Sequence, residues 1–318
     1  MTPRSVQRAD IEAAADRLAG PIRRTPLLSL DGAELGIDGT VSLKLEHLQH
    51  SGTFKGRGAM NFMLSNQISA AGVTAASGGN HGAAVAWAAQ QLGHRATIFV
   101  PTISSPAKVA RLGDYGAEVV QVGEVYAESL EACDKFQTGS GATAIHAYEA
   151  PDVFAGAGST GLEFERQVDE AGLPPLDSVL VACGGGGLVG GIATWFNGRT
   201  SVVACETTGT TAYAAAAEAG HPVTVPISGV AADALGASKI GSLAFAALTD
   251  ADATSVLVED EHVIKARQLL WQRFRLAVEA SAAVPIAAVI AGVWKPTAAS
   301  EHTGIVVCGA NTATEDLA

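Results

Sequence analysis

The sequence predicts an α/β fold of two open parallel sheets with helices on both faces. Apolar runs of strand length alternate with helix-length stretches over residues 71–146, and the alternation returns over residues 161–308. A strand, a helix and a second strand form a crossover unit, and such units build parallel sheets. The 318 residues suffice for about two domains at roughly 150 residues each. We predict a large domain from residues 1–70 and 147–318 and a small domain from residues 71–146.

The individual elements follow from the length and periodicity of the apolar runs. The first helix is predicted to be capped by Ser5 or Asp10, and the threonine-proline pair makes residues 24–27 extended. Apolar or alternating runs predict strands over residues 41–46, 73–76, 96–100, 118–122, 142–145, 178–183, 201–205, 255–258 and 304–308. Longer stretches predict helices over residues 59–66, 80–92, 106–112, 124–136, 161–170, 188–196, 211–219, 261–275 and 281–291.

Composition and charge exclude two classes of partner. The net charge is -12 and the pI about 5.1, and no Lys/Arg cluster of the kind that follows nucleic acid occurs. No uninterrupted apolar run reaches membrane-spanning length, and the first residues lack the charged and apolar regions of a signal peptide. We expect a soluble cytoplasmic protein with a small-molecule substrate, no nucleic-acid partner and no membrane partner.

The cysteines predict neither disulfides nor structural zinc. Cys133, Cys183, Cys205 and Cys308 are widely spaced, with no C-x-x-C pair and no histidine cluster at ligand spacing. Three of them end or lie within apolar runs, where a free thiol behaves as a small buried hydrophobic group.

One lysine, Lys55, lies among small residues in SGTFKGRG, residues 51–58. At a helix start its charge opposes the helix dipole, so its position needs a reason. A lysine that forms a Schiff base with an aldehyde cofactor carries less charge, and neighbouring glycines let a flat ring approach the backbone. These eight residues are equally compatible with a solvated lysine in an ordinary glycine-rich loop.

Two further loops join a predicted strand to a predicted helix through glycines. In CGGGGL, residues 183–188, consecutive free N–H groups at a helix start suit a phosphate, and the alternative is a tight turn that only packs closely. In ASGGNHG, residues 76–82, the N–H groups with the Ser77 and Asn80 side chains suit a carboxylate or a ring hydroxyl. The alternative there is that Asn80 only caps its helix.

These motifs occur together with others in a specific order. KLEHLQHSGTFKGRGA, SGGNHG, PAKVARLGDYGAEVV, GSTGLE, CGGGGLVGGIA and VVCGAN follow one another over about residues 24–311. In order and spacing they resemble the pyridoxal-phosphate enzymes of fold type II, which share the tryptophan synthase β-like fold. Within that group the chain most resembles the serine/threonine dehydratases (threonine ammonia-lyases), with serine racemase as a near relative.

The resemblance implies a role for each motif. Lys55 is the catalytic lysine and forms the Schiff base with pyridoxal 5'-phosphate. The implied cofactor contacts are Phe54, Lys55, Asn80, Gly184, Gly185, Gly186, Gly187, Leu188 and Cys308. The implied substrate-binding residues are Ser77, Gly78, Gly79, Asn80 and His81. Cys308 faces the pyridine nitrogen, and a thiol there leaves the nitrogen largely unprotonated, which favours loss of a β-substituent over transamination.

The implied activity is a dehydratase/ammonia-lyase reaction on L-threonine, L-serine or a related β-hydroxy amino acid. Lys55 removes the α-proton, the β-hydroxyl leaves, and hydrolysis yields the 2-oxo acid and ammonia. Alternatives within the enzymes are a serine racemase, a β-replacement synthase and a lyase for another specialised amino acid. Outside the enzymes, the alternative is a degenerate pyridoxal-phosphate binder with a regulatory role. The resemblance also suggests a homodimer.

Several positions depart from the family pattern. Gly78 stands where racemases have the serine that acts as acid/base on the opposite face, so racemisation is not expected. Glu206 matches one ligand of the relatives' cation site but Ala212 replaces the other, so we predict no metal site, with Glu206 as the one candidate ligand. Ala147 and Tyr148 differ from the usual residues near the cofactor, and residues 233–238 have no assigned role. With no regulatory extension after Ala318, we expect a catabolic enzyme.

Overall fold

The computed structural model describes residues 4–312 and contains two β-sheets. The strands are β1 (Leu27–Asp31), β2 (Thr40–Lys44), β3 (Val73–Ala76), β4 (Ala96–Val100), β5 (Glu118–Gln121), β6 (Thr143–Ala144), β7 (Ser178–Ala182), β8 (Ser201–Thr207), β9 (Thr254–Val258) and β10 (His302–Val306). The larger sheet has the order β1-β2-β10-β7-β8-β9 and the smaller has the order β5-β4-β3-β6. Every strand pair except β1 with β2 is parallel, which confirms the predicted fold class.

Helices connect the parallel strands. They are α1 (Arg8–Leu18), α2 (Lys55–Ser65), α3 (Asn80–Leu92), α4 (Pro106–Asp114), α5 (Tyr126–Ser140), α6 (Pro151–Glu170), α7 (Gly187–Phe196), α8 (Ala212–Ala219), α9 (Ala232–Leu235), α10 (Ser242–Asp250), α11 (Asp260–Phe274) and α12 (Ala280–Ile290). The smaller sheet takes all its strands from residues 73–144, but the domain boundaries remain a prediction. Residues 1–3 and 313–318, which include Ala318, lie outside the described residues.

Strand β1 was not predicted from the sequence. It pairs with β2 in antiparallel register, with Leu28 opposite Leu43 and Leu30 opposite Val41. Only residues 32–39 join the two strands, and a connection that short cannot make the crossover that a parallel pair requires. The pair therefore forms an antiparallel edge on an otherwise parallel sheet.

Two helices start at least four residues earlier than predicted because glycines inside them resemble loop residues. Helix α2 starts at Lys55 instead of residue 59, and α6 starts at Pro151 instead of residue 161. A Cβ on Gly156 of α6 would be 2.7 Å from the carbonyl oxygen of Arg57 in α2, and one on Gly58 would be 2.8 Å from Val153. These glycines are present because the two helix backbones touch, and not because the chain turns there.

The predicted cap of α1 is wrong. The N-cap is Gln7, whose backbone N–H donates to the Asp10 carboxylate at 2.9 Å, so Asp10 lies in the first turn. Ser5 lies before the helix, and its hydroxyl oxygen accepts from the Gln7 side chain. The Asp10 carboxylate thus satisfies the N–H of the N-cap residue, whereas the side chain of a cap residue would satisfy an N–H of the first helical turn.

The main apolar core covers the larger sheet, where α6, α7 and α12 pack on the central strands. A second cluster joins α2 and α3 to the smaller sheet. All four cysteines are buried and free, including Cys133, which lies outside the apolar runs for which burial was predicted. Among residues 4–312, no helix combines the length and apolar character needed to cross a bilayer.

Candidate active site

The carboxyl ends of three neighbouring parallel strands carry the predicted site. Strand β2 leads through two short 3-10 turns to Lys55, β7 leads to the glycine loop, and β10 leads to Cys308. The backbone N–H of Phe54 donates to the Cys308 carbonyl at 3.1 Å, which joins two of these segments directly. Ligands bind at this edge of open parallel sheets because the loops there converge.

Lys55 is the first residue of α2 and points towards this edge. Its amine donates to the carbonyl oxygen of Ala147 at 2.8 Å. Burial lowers the pKa of Lys55 to about 8, against the opposing effects of Cys308 and Glu279. An amine with that pKa has a sizeable neutral fraction near physiological pH, which nucleophilic attack on an aldehyde requires.

The glycine loop at residues 184–187 packs too closely for side chains. A Cβ on Gly184 would be 3.0 Å from Leu235, and one on Gly186, where φ is +84°, would be 2.5 Å from Ala244. Gly187 is the first residue of α7, so the first N–H groups of that helix have no partner within it. The loop therefore offers bare backbone donors and a helix N-terminus to an anion.

The turn between β3 and α3 directs some of the predicted residues towards a ligand and others away from it. Ser77 accepts a hydrogen bond from the Gly79 N–H at 3.3 Å, which leaves the hydroxyl proton of Ser77 free to donate. The Nε2 of His81 lies 2.8 Å from the Ile145 carbonyl, and burial, then the Lys55 charge, lowers the pKa of His81 to about 3. The His81 ring is thus neutral and directed away from the turn, so only its backbone N–H faces a ligand at the helix start.

Asn80, the first residue of α3, donates through Nδ2 to both carboxylate oxygens of Glu279 at 2.9 Å each. Its Oδ1 is buried without a partner among the described residues. Glu279 was not predicted as a site residue, because it belongs to no motif and reaches the site only through the fold. A glutamate directly before the alanine-rich α12 was the one available signal.

Cys308 follows β10 and lines the same cavity as Lys55. Its Sγ is 3.7 Å from the hydroxyl of Ser281, which in turn contacts Glu279. Burial and then the nearby Glu279 raise the pKa of Cys308 to about 12. The side chain is therefore a neutral thiol at physiological pH.

Tyr148 packs against the glycine loop and lines the same cavity. Its ring packs edge-on against His146 at a centroid distance of 4.8 Å. The Nδ1 of His146 accepts from the backbone N–H groups of Tyr148 and Glu149, at 3.2 and 2.9 Å. Glu149 accepts from the N–H of Ser242 at 2.9 Å, so the segment is held at both ends.

Glu206, the candidate metal ligand, accepts hydrogen bonds from the first turn of α8. Its two carboxylate oxygens accept from the N–H groups of Tyr213 and Ala214, at 2.7 and 2.8 Å. Burial raises the pKa of Glu206 to about 7, against these hydrogen bonds. Within residues 4–312 no group of three or more His, Cys, Asp or Glu side chains is arranged to hold a metal ion. Absence of a metal remains a prediction.

The residues fit pyridoxal phosphate. One cavity is lined by the Lys55 amine, all four glycines of the loop, Asn80, Cys308 and the Phe54 ring. The unpaired Oδ1 of Asn80 and the bare glycine backbone are features that a ligand with polar groups and an anionic tail would use. Lys55 would hold the aldehyde carbon, residues 184–188 the phosphate, and Asn80 and Cys308 the polar atoms of the ring.

Comparisons with known proteins agree with this arrangement. Residues 18–309 match the family model described as pyridoxal-phosphate dependent enzyme. The chain is 38% identical over 287 residues to L-threonine ammonia-lyase of Geobacter sulfurreducens, covering 88% of this chain and 70% of that protein. It is 33% identical over 301 residues to phenylserine dehydratase of Ralstonia pickettii, covering 93% and 90%. Maize serine racemase has a similar structure, with a TM-score of 0.90 at 29% identity, covering 99% of this chain and 96% of that one. The chain belongs to the pyridoxal-phosphate dependent enzyme family.

Proposed function

We propose that this protein is a pyridoxal-phosphate-dependent dehydratase that converts L-threonine, L-serine or a related β-hydroxy amino acid to the 2-oxo acid and ammonia. The observation that carries the proposal is the convergence of the Lys55 amine, the glycine loop and the Cys308 thiol on one cavity. Two relatives are named for threonine and phenylserine, which are both β-hydroxy amino acids, and this supports β-elimination as the reaction.

Lys55 has two tasks. Its amine would hold the cofactor, and in its free form the same amine would remove the proton from the α-carbon of the substrate. The lowered pKa of about 8 favours the neutral amine that both tasks need. Pyridoxal phosphate, when bound, supplies the conjugated ring that withdraws electrons from the α-carbon.

The Cys308 thiol limits how far the ring is activated. A carboxylate beside the pyridine nitrogen would hold a proton there, whereas a thiol with a pKa near 12 is a weak donor. A ring beside such a weak donor would withdraw electrons from the α-carbon only weakly. Loss of the β-hydroxyl is thereby favoured over transamination.

The turn at residues 77–81 suits the substrate carboxylate. The first N–H groups of α3 point out of the helix, and the free proton of the Ser77 hydroxyl adds a donor. Gly78 has no proton to offer on the face opposite Lys55. One-base elimination is therefore favoured over racemisation, even though a serine racemase is among the similar structures.

The test is product analysis of the cofactor-loaded protein with L-threonine and L-serine. We expect the 2-oxo acid and ammonia in equal amounts. D-serine as the main product would support a racemase, a thiol adduct formed from added sulfide would support a β-replacement synthase, and ammonia release from another amino acid alone would support a specialised lyase. A visible cofactor band without turnover on any β-hydroxy amino acid would support a regulatory binder.

We also propose that the protein is a cytoplasmic homodimer that serves amino-acid catabolism. Support for the dimer comes from the resemblance to the dehydratase family. Size-exclusion chromatography with light scattering tests the oligomeric state, and a mass of a single chain, 32.2 kDa, would contradict it. Cell fractionation tests the compartment.

A further inference from the structure

Glu279 is a buried carboxylate in the active site that the proposed reaction does not use directly. Its side chain is 5% exposed and lines the same cavity as Lys55. It stands at the N-cap of α12, yet its side chain accepts no backbone N–H of that helix. Its partners are the side chains of Asn80 and Ser281 and the backbone N–H of Asn311. A helix cap alone therefore does not explain why a carboxylate is buried here.

The contact between Glu279 and Asn80 determines which atoms of the Asn80 amide remain available to a ligand. The Nδ2 atom is 2.9 Å from each carboxylate oxygen. Because the two oxygens of a carboxylate are close together, a single N–H pointing between them is shared by both. The second N–H and the Oδ1 of Asn80 are then left for a bound group, and Oδ1 has no partner among the described residues.

An ionised Glu279 also prevents the side-chain amide of Asn80 from rotating by a half-turn. A half-turn of the Asn80 amide would place Oδ1 against the carboxylate, two acceptors with no proton between them. The N–H of Asn311, at 3.0 Å, and the Ser281 hydroxyl donate to the carboxylate as well. Burial raises the pKa of Glu279, and the hydrogen bonds from Ser281, Asn80 and Asn311 oppose that rise.

We propose that Glu279 is a positioning residue that holds the Asn80 amide in one orientation, so that Asn80 presents an N–H to the ring oxygen of pyridoxal phosphate. The inference rests on the proposed function. An N–H donor stabilises the ionised ring oxygen, and this is the form of the lysine-bound cofactor that absorbs visible light. Glu279 thus acts on the cofactor only through Asn80.

The test uses Glu279→Gln, which keeps the shape of the side chain. Its amide can donate to the Oδ1 of Asn80, so it permits the rotated orientation of the Asn80 amide. The ratio of the visible to the near-ultraviolet cofactor band is measured at fixed pH in the wild type, Glu279→Gln, Asn80→Ala and the double variant. We expect Glu279→Gln to lower the ratio by about tenfold, because a hydrogen bond to a charged oxygen is lost. In the Asn80→Ala background we expect no further change.

Glu206→Gln is the matched control. It removes another buried carboxylate that accepts from backbone N–H groups, but it touches neither Asn80 nor the cavity lining, and we expect the band ratio to stay unchanged. An equal change from Glu279→Gln in both backgrounds would show that Glu279 acts without Asn80 and would overturn the inference. An unchanged ratio would overturn it too. A wild-type protein with no visible band would contradict the proposed function itself.

A measurement on the wild type covers the case in which Glu279→Gln does not fold. The side-chain amide of Asn80 is observed by NMR in the apoprotein and assigned by its disappearance in Asn80→Ala. We expect slow hydrogen exchange for the N–H bound to Glu279. Exchange as fast as that of an exposed asparagine would contradict the anchored amide.

Discussion

The ring of Tyr148 lies directly against Gly185, so that a Cβ on Gly185 would be only 2.4 Å from the Cε1 of Tyr148. The same residue touches Gly187, where a Cβ would be 2.8 Å from the Cβ of Tyr148. The preceding carbonyl, that of Ala147, accepts the hydrogen bond from Lys55. One short segment therefore contacts both the Lys55 amine and the glycine loop, and Tyr148 lines the cavity.

Substitution of Gly185 by alanine should impair cofactor binding. The added methyl group must displace the Tyr148 ring or shift the loop, and overpacking of that kind costs about 1–3 kcal/mol. We expect the affinity for pyridoxal phosphate to fall by about tenfold or more, measured by titration of the visible band. Gly139→Ala is the control, since nothing lies within 4 Å of that position in α5. Equal affinities for the two variants would contradict the close contact.

Replacement of Lys55 by alanine should abolish turnover and the visible absorbance of the bound cofactor. No other group would then link covalently to the aldehyde or remove the α-proton. Lys135→Ala, an exposed lysine on α5, should leave both unchanged. Borohydride reduction of the wild type followed by peptide mapping should label Lys55. Retained activity in Lys55→Ala, or a label elsewhere, would refute the assignment.

Gly78→Ser should introduce racemisation. A Cβ at this position would be 3.4 Å from Ser104 and Val100, an ordinary contact distance, so the serine fits and brings a proton to the turn beside the substrate. We expect D-serine to form from L-serine while elimination falls by no more than about tenfold, measured by chiral chromatography. Gly78→Ala is the control, because it adds side-chain volume without a hydroxyl group. D-serine formation by this variant would contradict the explanation.

The buried pair Glu46 and Arg57 should contribute strongly to stability. Arg57 donates to both carboxylate oxygens at 2.8 and 2.7 Å, and neither side chain is more than 1% exposed. Arg57→Met leaves Glu46 charged and buried without this partner. This should lower the free energy of unfolding, measured by urea denaturation, by about 3–5 kcal/mol. Arg24→Ala removes an exposed ion pair with Glu170 and should cost less than about 1 kcal/mol. Similar losses for the two variants would contradict a buried pair.

The pair of Glu46 and Arg57 should also make the free energy of unfolding depend on pH. Burial acts to raise the pKa of Glu46, but Arg57 and Lys44 outweigh it, so the pKa lies below the ordinary value of 4.5. The stabilisation is therefore complete above about pH 4.5 and is lost as the pH falls through the lowered pKa. We expect the wild type and Arg57→Met to converge in stability under acid, and a difference that stays constant down to low pH would contradict this.

The sequence was most informative where residue type alone limits the chemistry. The lysine, tetraglycine and asparagine segments each left an alternative open, but together with three further motifs in a specific order they resembled one enzyme family and so led to the cofactor class, and the family comparison agrees. Helix bounds were less predictable. Gly58 and Gly156 resemble turn residues in the sequence but lie inside helices, because only the packing of α2 on α6 explains why a side chain is excluded there.

By itself the sequence determined the parallel α/β architecture, because periodicity is a property of short segments, and the order of its motifs pointed to Lys55 and the glycine loop. Tertiary structure alone decided that Glu279 faces Asn80 and that Tyr148 covers Gly185. Both contacts join residues from distant segments, which meet only because the carboxyl ends of the parallel strands bring their loops to one edge. Contacts of that kind leave no local pattern, since each partner taken alone is an ordinary glutamate or tyrosine.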